Sequence, residues 1–130
     1  MSHCPGVVVR CYGITKDPET QGFMMVMDYV QSSLRQHLNN SFNSLSWDNK
    51  LDNLYYIALG LDDIHEQGLI HHDFHCGNIL LNKFDDGDFR SLITDLGLCQ
   101  PANVESSQSG NKQIFGVLPY VAPEVLRGKI

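Results

Sequence analysis

Two apolar runs open the pattern of the chain. Val7-Val8-Val9-Arg10-Cys11-Tyr12 has the β-branched character of a strand, and Phe23-Met24-Met25-Val26-Met27 is a second run of strand length, closed by Asp28-Tyr29. Between them, Gly13 to Gly22 carries the turn-rich Lys16-Asp17-Pro18-Glu19. Two such runs joined by about ten mainly polar residues predict an antiparallel pair. Ser33 is placed to cap a short helix from Leu34 to about Leu38, and Asn39 to Ser46 is polar and loop-like. Ser46 then precedes a long periodic stretch, roughly Trp47 to Gln67. There Leu51, Leu54, Ile57, Ala58, Leu61 and Ile64 recur at spacings of three and four and mark one broad apolar face. Gly68 stands where a C′ glycine ends a helix, because that position asks for positive φ.

Beyond Gly68 the texture changes to short apolar runs, Leu69-Ile70, Ile79-Leu80-Leu81 and Ser91-Leu92-Ile93-Thr94, separated by polar turns. Asp85-Asp86-Gly87-Asp88 predicts a hairpin turn between the last two runs. From Cys99 to Asn111 the chain is rich in Ser, Gln, Asn and Gly, which predicts a mobile surface loop. No internal repeat is visible. Short strands combined with one long helix give an α+β class.

Composition narrows the function classes. The 130 residues suit one domain, and 42% hydrophobic with 18% charged residues is globular rather than disordered. A formal charge of -6, with no basic stripe, argues against a nucleic-acid partner. Apolar runs are short and interrupted by charge, so no membrane span is expected, and the first residues lack the pattern of a secretory signal. Cys4, Cys11, Cys76 and Cys99 form no C-x-x-C pair, which favours free thiols and a reducing, cytoplasmic setting.

Candidate chemistry is concentrated after the long helix. In Ile70-His71-His72-Asp73-Phe74-His75-Cys76-Gly77-Asn78-Ile79-Leu80-Leu81, an acid and an amide lie five residues apart in one loop between apolar runs. Seventeen residues past Asn78 comes Asp95-Leu96-Gly97, directly after a run of strand character, and twenty-nine past Asp95 comes Glu124, closing Ala122-Pro123-Glu124. A carboxylate at a strand end followed by glycine can turn into a cleft and hold a hard cation.

In order and separation these three segments resemble the H-R-D-L-x-x-x-N, D-F-G and A-P-E set of eukaryotic-type protein kinases. The flanks resemble it too: Gly60 to Gly68 is similar to the end of the family's long helix, and Gly116-Val117-Leu118-Pro119-Tyr120-Val121 to its substrate-facing loop. The texture is closest to the tyrosine-kinase-like group, most of whose members act on Ser or Thr. The resemblance implies a protein kinase-like fold with ATP, Mg2+ and a protein substrate as partners. It implies a partial domain over residues 7-130, with N-lobe strands and hinge at 7-30 and the first half of the C-lobe at 31-130. Asp73 is then the base that accepts the substrate hydroxyl proton, and Asn78 and Asp95 are the magnesium ligands. By the same resemblance, His75 takes the place of a phosphate-contacting Lys and Leu80 packs beneath adenine. Met27 is the gatekeeper, the backbones of Asp28 and Val30 hold the adenine edge, and His71, Leu96 and Cys11 stack between the lobes. His72 in place of Arg weakens the expectation of control by a phosphorylated loop, although Ser106, Ser107 and Ser109 lie where such phosphorylation falls. Val117 replaces an expected Thr, and Tyr120 favours Ser/Thr acceptors over Tyr.

A G-x-G-x-x-G loop, the phosphate-pairing Lys and the helix with its Glu partner are not found in the sequence, and the chain stops six residues after Glu124. The resemblance therefore implies less than half a kinase domain, part of whose long helix lacks cover, and no measurable phosphotransfer from these residues alone. Two rivals remain at this level. One is a kinase-derived binding module or truncated product without catalysis. The other is a metal-dependent hydrolase built on His71, His72, Asp73, His75 and Cys76, which needs His71 and His75 on a helix to chelate zinc.

Overall fold

In the computed structural model, residues 6-83, 88-102 and 116-128 are described. The expected turn at Asp85-Asp86-Gly87, the expected mobile loop beyond residue 102 and the candidate phosphorylation sites Ser106, Ser107 and Ser109 lie outside them. Strand β1 (Cys11–Lys16) pairs antiparallel with β2 (Phe23–Met27). After β2, β3 (Ser32–Ser33) leads directly into helix α1 (Leu34–Ser41). A short 3-10 turn, Phe42–Ser44, joins α1 to the long helix α2 (Trp47–Glu66). β4 (Leu69–Ile70), β5 (Ile79–Lys83), β6 (Phe89–Ile93) and β7 (Gln100–Pro101) follow, and then α3 (Pro123–Leu126). Among the described residues three small antiparallel sheets result: β1-β2, β3-β5-β6 and β4-β7. Among the described residues no helix is long and apolar enough to cross a membrane.

Local sequence explains the element ends. Ser33 caps α1 with its hydroxyl 3.3 Å from the Gln36 N–H, while the Gln36 side chain accepts from the Ser33 N–H at 2.9 Å. Ser46 and Asn49 make the same reciprocal box at the start of α2. Gly68, at φ 70, closes α2 as expected. The α1 helix runs three residues past the expected Leu38, because the capping box stabilises a full two turns.

The first strand needs correction. Val7 to Tyr12 reads as one run, but the chain divides it. Val9 donates to the Ile93 carbonyl and Ile93 to the Val7 carbonyl, both at 2.8 Å, making a parallel bridge at Val8. β1 begins only at Cys11, with a bulge between Cys11 and Gly13, where Gly13 takes φ 149. It then continues to Lys16, deeper into the expected turn, and Asp17 leads the reversal. The Asp17 carboxylate accepts from the Thr20 hydroxyl at 2.6 Å and from the Glu19 N–H at 3.0 Å. These bonds, that from Thr20 foremost, hold the Asp17 carboxyl below its usual range.

The buried face of α2 also differs from the periodicity. Leu51 and Leu54 are 58% and 61% exposed and Ala58 is exposed, whereas Gly60 and Ile64 are buried and Asn53 and Ile57 half-buried. The seam against β6 therefore runs Asn53-Ile57-Gly60-Ile64, one helical strip to the side of the leucines. Gly60 is the reason. A Cβ there would stand 2.9 Å from Ile93 Cδ1 and 3.0 Å from the Val7 carbonyl oxygen, so closest approach runs along the line with no side chain. At the N-terminal end of the seam, buried Ser91 donates to Asn53 Oδ1 at 2.8 Å, satisfying both groups.

Gly60→Ala is expected to lower stability by about 1–3 kcal/mol despite alanine's better helix propensity, since Ile93 is wholly buried and the other obstacle is backbone. Urea unfolding checks this, and an unchanged or raised midpoint is the contrary result.

Candidate active site

The catalytic-loop segment sits between β4 and β5 and is held by its own polar groups. His71 is 2% exposed. Its Nδ1 accepts from the Asp73 N–H at 3.3 Å and its Nε2 lies 3.0 Å from the Thr94 carbonyl, which assigns the Nε2–H tautomer. The Phe74 ring packs edge-on against the His71 ring at 5.9 Å. His72, at φ 62, turns the chain so that Asp73 faces forward. Asn78 Nδ2 donates both to the Asp73 carbonyl at 3.0 Å and to Asp73 Oδ2 at 3.2 Å, closing the loop on itself. His75 Nδ1 accepts from the Gly77 N–H at 3.0 Å, so Nε2 carries the ring proton and lies 3.7 Å from Asp73 Oδ1. Gly77 is required here, because a Cβ would meet the His75 ring at 2.8 Å.

Asp95 joins this group through the hairpin. Ile79 pairs with Ile93, and Thr94 donates to the Asn78 carbonyl at 3.0 Å, so the residue before β5 and the residues after β6 emerge at one end. Asp95 is exposed there in the left-handed region, at φ 60 and ψ 64, at the head of the Leu96–Leu98 turn. Asp73, His75 and Asn78 are thus held together, and Asp95 directly follows Thr94, whose N–H is bonded to the Asn78 carbonyl. Because Asn78 spends its NH₂ on Asp73, its amide oxygen, like the Asp95 carboxylate, could serve as a hard donor of the kind magnesium prefers.

The expected nucleotide-edge residues form a second group. Met27 closes β2 opposite Cys11, and Asp28 donates its N–H to the Arg10 carbonyl at 3.1 Å. The backbone group that Asp28 can turn to a ligand is therefore its carbonyl. The Tyr12 hydroxyl donates to Asp28 Oδ1 at 2.6 Å, and this bond together with the carboxylate's charge raises the Tyr12 phenol above its usual range. Val30 is half-buried just before β3, and Ser33 of β3 pairs with Leu80, which ties the segment after β2 to the expected adenine floor.

The hydrolase alternative fails on geometry. His71 and His75 lie on a loop, three of their four ring nitrogens are engaged internally, and among the described residues no group of three potential ligands could hold a metal.

One cluster has no counterpart in the sequence reading. The Arg35 N–H donates to the Cys76 carbonyl at 3.0 Å, and the Arg35 guanidinium carbon would lie 3.4 Å from a Cβ on Gly77. Tyr120 approaches from the other side, its ring 6.4 Å from that of His75. Burial pushes the Cys76 thiol up, but hydrogen bonds from Tyr120 and Arg35 and the charge of Arg35 outweigh it and bring the thiol below its usual range. The Tyr120 phenol is correspondingly raised by its bond to Cys76. Three segments far apart in the chain supply these groups, so no local motif could have disclosed them. By contrast Cys99, whose thiol lies 3.9 Å from the His71 carbonyl, is pushed up by burial and by the Asp95 charge.

The family model described as protein kinase domain matches residues 2–130. Rat dual specificity testis-specific protein kinase 1 is 31% identical over 105 residues, 79% of this chain and 17% of the relative. The serine/threonine-protein kinase RAD53 of Saccharomyces cerevisiae is 33% identical over 122 residues, 94% of this chain and 14% of the relative. The chain thus spans about a sixth of the length of these relatives. A chain in the crystal structure of the yeast RNA Pol II CTD kinase CTDK-1 complex superposes with a TM-score of 0.75 over 98% of this chain and 39% of its own length, at 24% identity. The fold is therefore protein kinase-like, and the chain belongs to the protein kinase domain family.

Iodoacetamide is expected to label Cys76 before Cys99, with the Cys76 rate rising at lower pH, because its folded thiol lies below and that of Cys99 above the ordinary range. Tyr120→Phe should move the Cys76 profile to higher pH. Peptide mass spectrometry across a pH series reads both, and a Cys99 that reacts first contradicts the cluster.

Proposed function

We propose that these residues are the catalytic-loop and metal-loop portion of a protein kinase that transfers the γ-phosphoryl group of ATP to Ser or Thr hydroxyls of proteins. The single observation carrying the proposal is the Asn78 amide bonded to both the carbonyl and the carboxylate of Asp73, with Asp95 emerging at the same end of the β5-β6 hairpin. Asp73 Oδ1, on the side away from Asn78, accepts the proton of the substrate hydroxyl and aims its oxygen. His75, its Nε2–H fixed by the bond at Nδ1, donates towards a transferring phosphate oxygen and takes the part of an ammonium. Asn78 Oδ1 and the Asp95 carboxylate hold magnesium, which when bound neutralises charge on the phosphates. The Asp28 carbonyl and the Val30 backbone read the adenine edge, Leu80 supports the ring from below, and Met27 limits the depth of its pocket. Ser/Thr acceptors are favoured by Tyr120 and by the relatives, which are serine/threonine and dual specificity kinases.

The division at residue 30 follows from the same proposal: 7-30 supplies the upper edge of the nucleotide site and 31-130 its floor and catalytic loop. No G-x-G-x-x-G occurs among the 130 residues, so these residues by themselves contact the nucleotide from one side. Because phosphate positioning supplies most of the catalysis in this family, phosphotransfer by these residues alone should fall below detection.

The test is a titration of the 15N-labelled chain with a non-hydrolysable ATP analogue, with and without magnesium. Amide shifts are expected at Asp28, Val30, Leu80 and Asp95, with at least tenfold weaker magnesium dependence in Asp95→Asn. Shifts that are scattered, or indifferent to magnesium in both proteins, overturn the proposal.

A further inference from the structure

Beside the candidate catalytic loop stands a cation that the reaction described above does not use. Arg35, the second residue of α1, is exposed, and its backbone N–H donates to the Cys76 carbonyl at 3.0 Å. That bond sets the start of the helix against the segment between Asp73 and Asn78, and the side chain lies along Gly77. A Cβ on Gly77 would have the Arg35 guanidinium carbon at 3.4 Å and His75 Cε1 at 2.8 Å. The two heads thus flank one point that the glycine leaves bare.

His75 in turn lies 3.7 Å from Asp73 Oδ1, the oxygen proposed to take the substrate proton. Tyr120 joins the group: it ends the Leu118–Tyr120 turn, is 46% exposed, and sets its ring 6.4 Å from that of His75. An extended chain advances by about 3.3–3.6 Å per residue, so side chains a few residues from a hydroxyl held at Asp73 reach this surface. Electrostatics then choose among them. Among the described residues no carboxylate stands within ion-pair distance of Arg35, whose side chain bonds the Cys76 thiol and lies near the Tyr120 phenol. A thiol is a weak acceptor and occupies only part of a fork of five donors. The remaining N–H groups match the paired oxygens of an anion, and a cationic side chain would be repelled.

We propose, on the reading that Asp73 orients an acceptor hydroxyl, that Arg35 selects protein substrates carrying an acidic side chain, carboxylate or phosphate, a few residues from that hydroxyl. The chain's formal charge of -6 repels acidic peptides in general, so a preference for them requires a local cation. A merely structural Arg35 would act through its backbone bond to Cys76, which every residue except proline can make. Replacing the side chain therefore separates the two roles.

The probes are N-acetylated, amidated heptapeptides of Ala and Gly with a central Ser, in which a single Glu is moved through the other positions. Peptides with Gln are the uncharged counterparts. They are titrated into the 15N-labelled 130-residue chain in the presence of magnesium and the ATP analogue. Glu at one or two neighbouring positions is expected to tighten binding about threefold over Gln, with shifts at Arg35, Gly77 and Tyr120. Arg35→Gln should remove that preference, and Arg35→Glu should turn it towards a Lys peptide. Lys50→Gln, an equal loss of charge at a residue set against the Phe42 and Trp47 rings, should leave it intact. Phosphoserine in place of Glu separates the two sources of the anion, the tighter binder being the natural one. Glu and Gln peptides that bind alike, or a preference that survives Arg35→Gln, overturn the proposal while the nucleotide-dependent shifts persist. Absence of those shifts overturns the kinase reading itself, and this proposal with it.

Discussion

Ile93 uses its side chain and both of its backbone polar groups on different neighbours, and three elements are placed by that one residue. Its side chain fills the gap left by Gly60 on α2, its N–H and carbonyl hold the Val7–Val9 segment, and its pairing with Ile79 sets the register of the hairpin. Thr94 follows at once and bonds both His71 and Asn78. A helix, a bridging segment and a loop that would otherwise adjust independently are therefore referred to one buried point. An error of packing at Gly60 would be passed along the backbone to Asp95 two residues later.

Sequence pattern showed the extents of α2 and β2, the Ser33 cap and the Gly68 stop because those features are local: a period, a hydroxyl, a glycine. The seam of α2 was not legible in the same way. Leucines at three-and-four spacing name a face that can be buried, whereas the face that is buried runs through Gly60 and Asn53, residues that a hydrophobicity count overlooks. The division of Val7 to Tyr12 was hidden for a related reason, since valines next to one another pair with whichever edge the tertiary fold presents. At the candidate site, Asp73, Asn78 and Asp95 could be named because their order and separation resemble a known family's motif set. The bonds that orient them, from Gly77 to His75 and from His71 to Thr94, join an ordinary glycine and a backbone carbonyl, which carry no signature.

The loop economises on polar groups. Asn78 commits its donors to Asp73 and keeps its acceptor; His75 commits its acceptor to Gly77 and keeps its donor; His71 commits both nitrogens and supports the other two. Asn78 and His75 are thereby each left with one polar function to turn outward, while His71 is left with none. The cluster of Arg35, Cys76 and Tyr120 fastens the same loop, tying the start of α1 to the Leu118–Tyr120 turn.

Asp95 holds a left-handed backbone that costs a non-glycine residue of order 1 kcal/mol or more. Glycine would adopt it freely, so backbone energetics alone favour Gly over Asp at position 95. The magnesium role proposed for the carboxylate would be the counterweight. A substitution to glycine would separate the two, since it relaxes the backbone at the same stroke as it removes the oxygens.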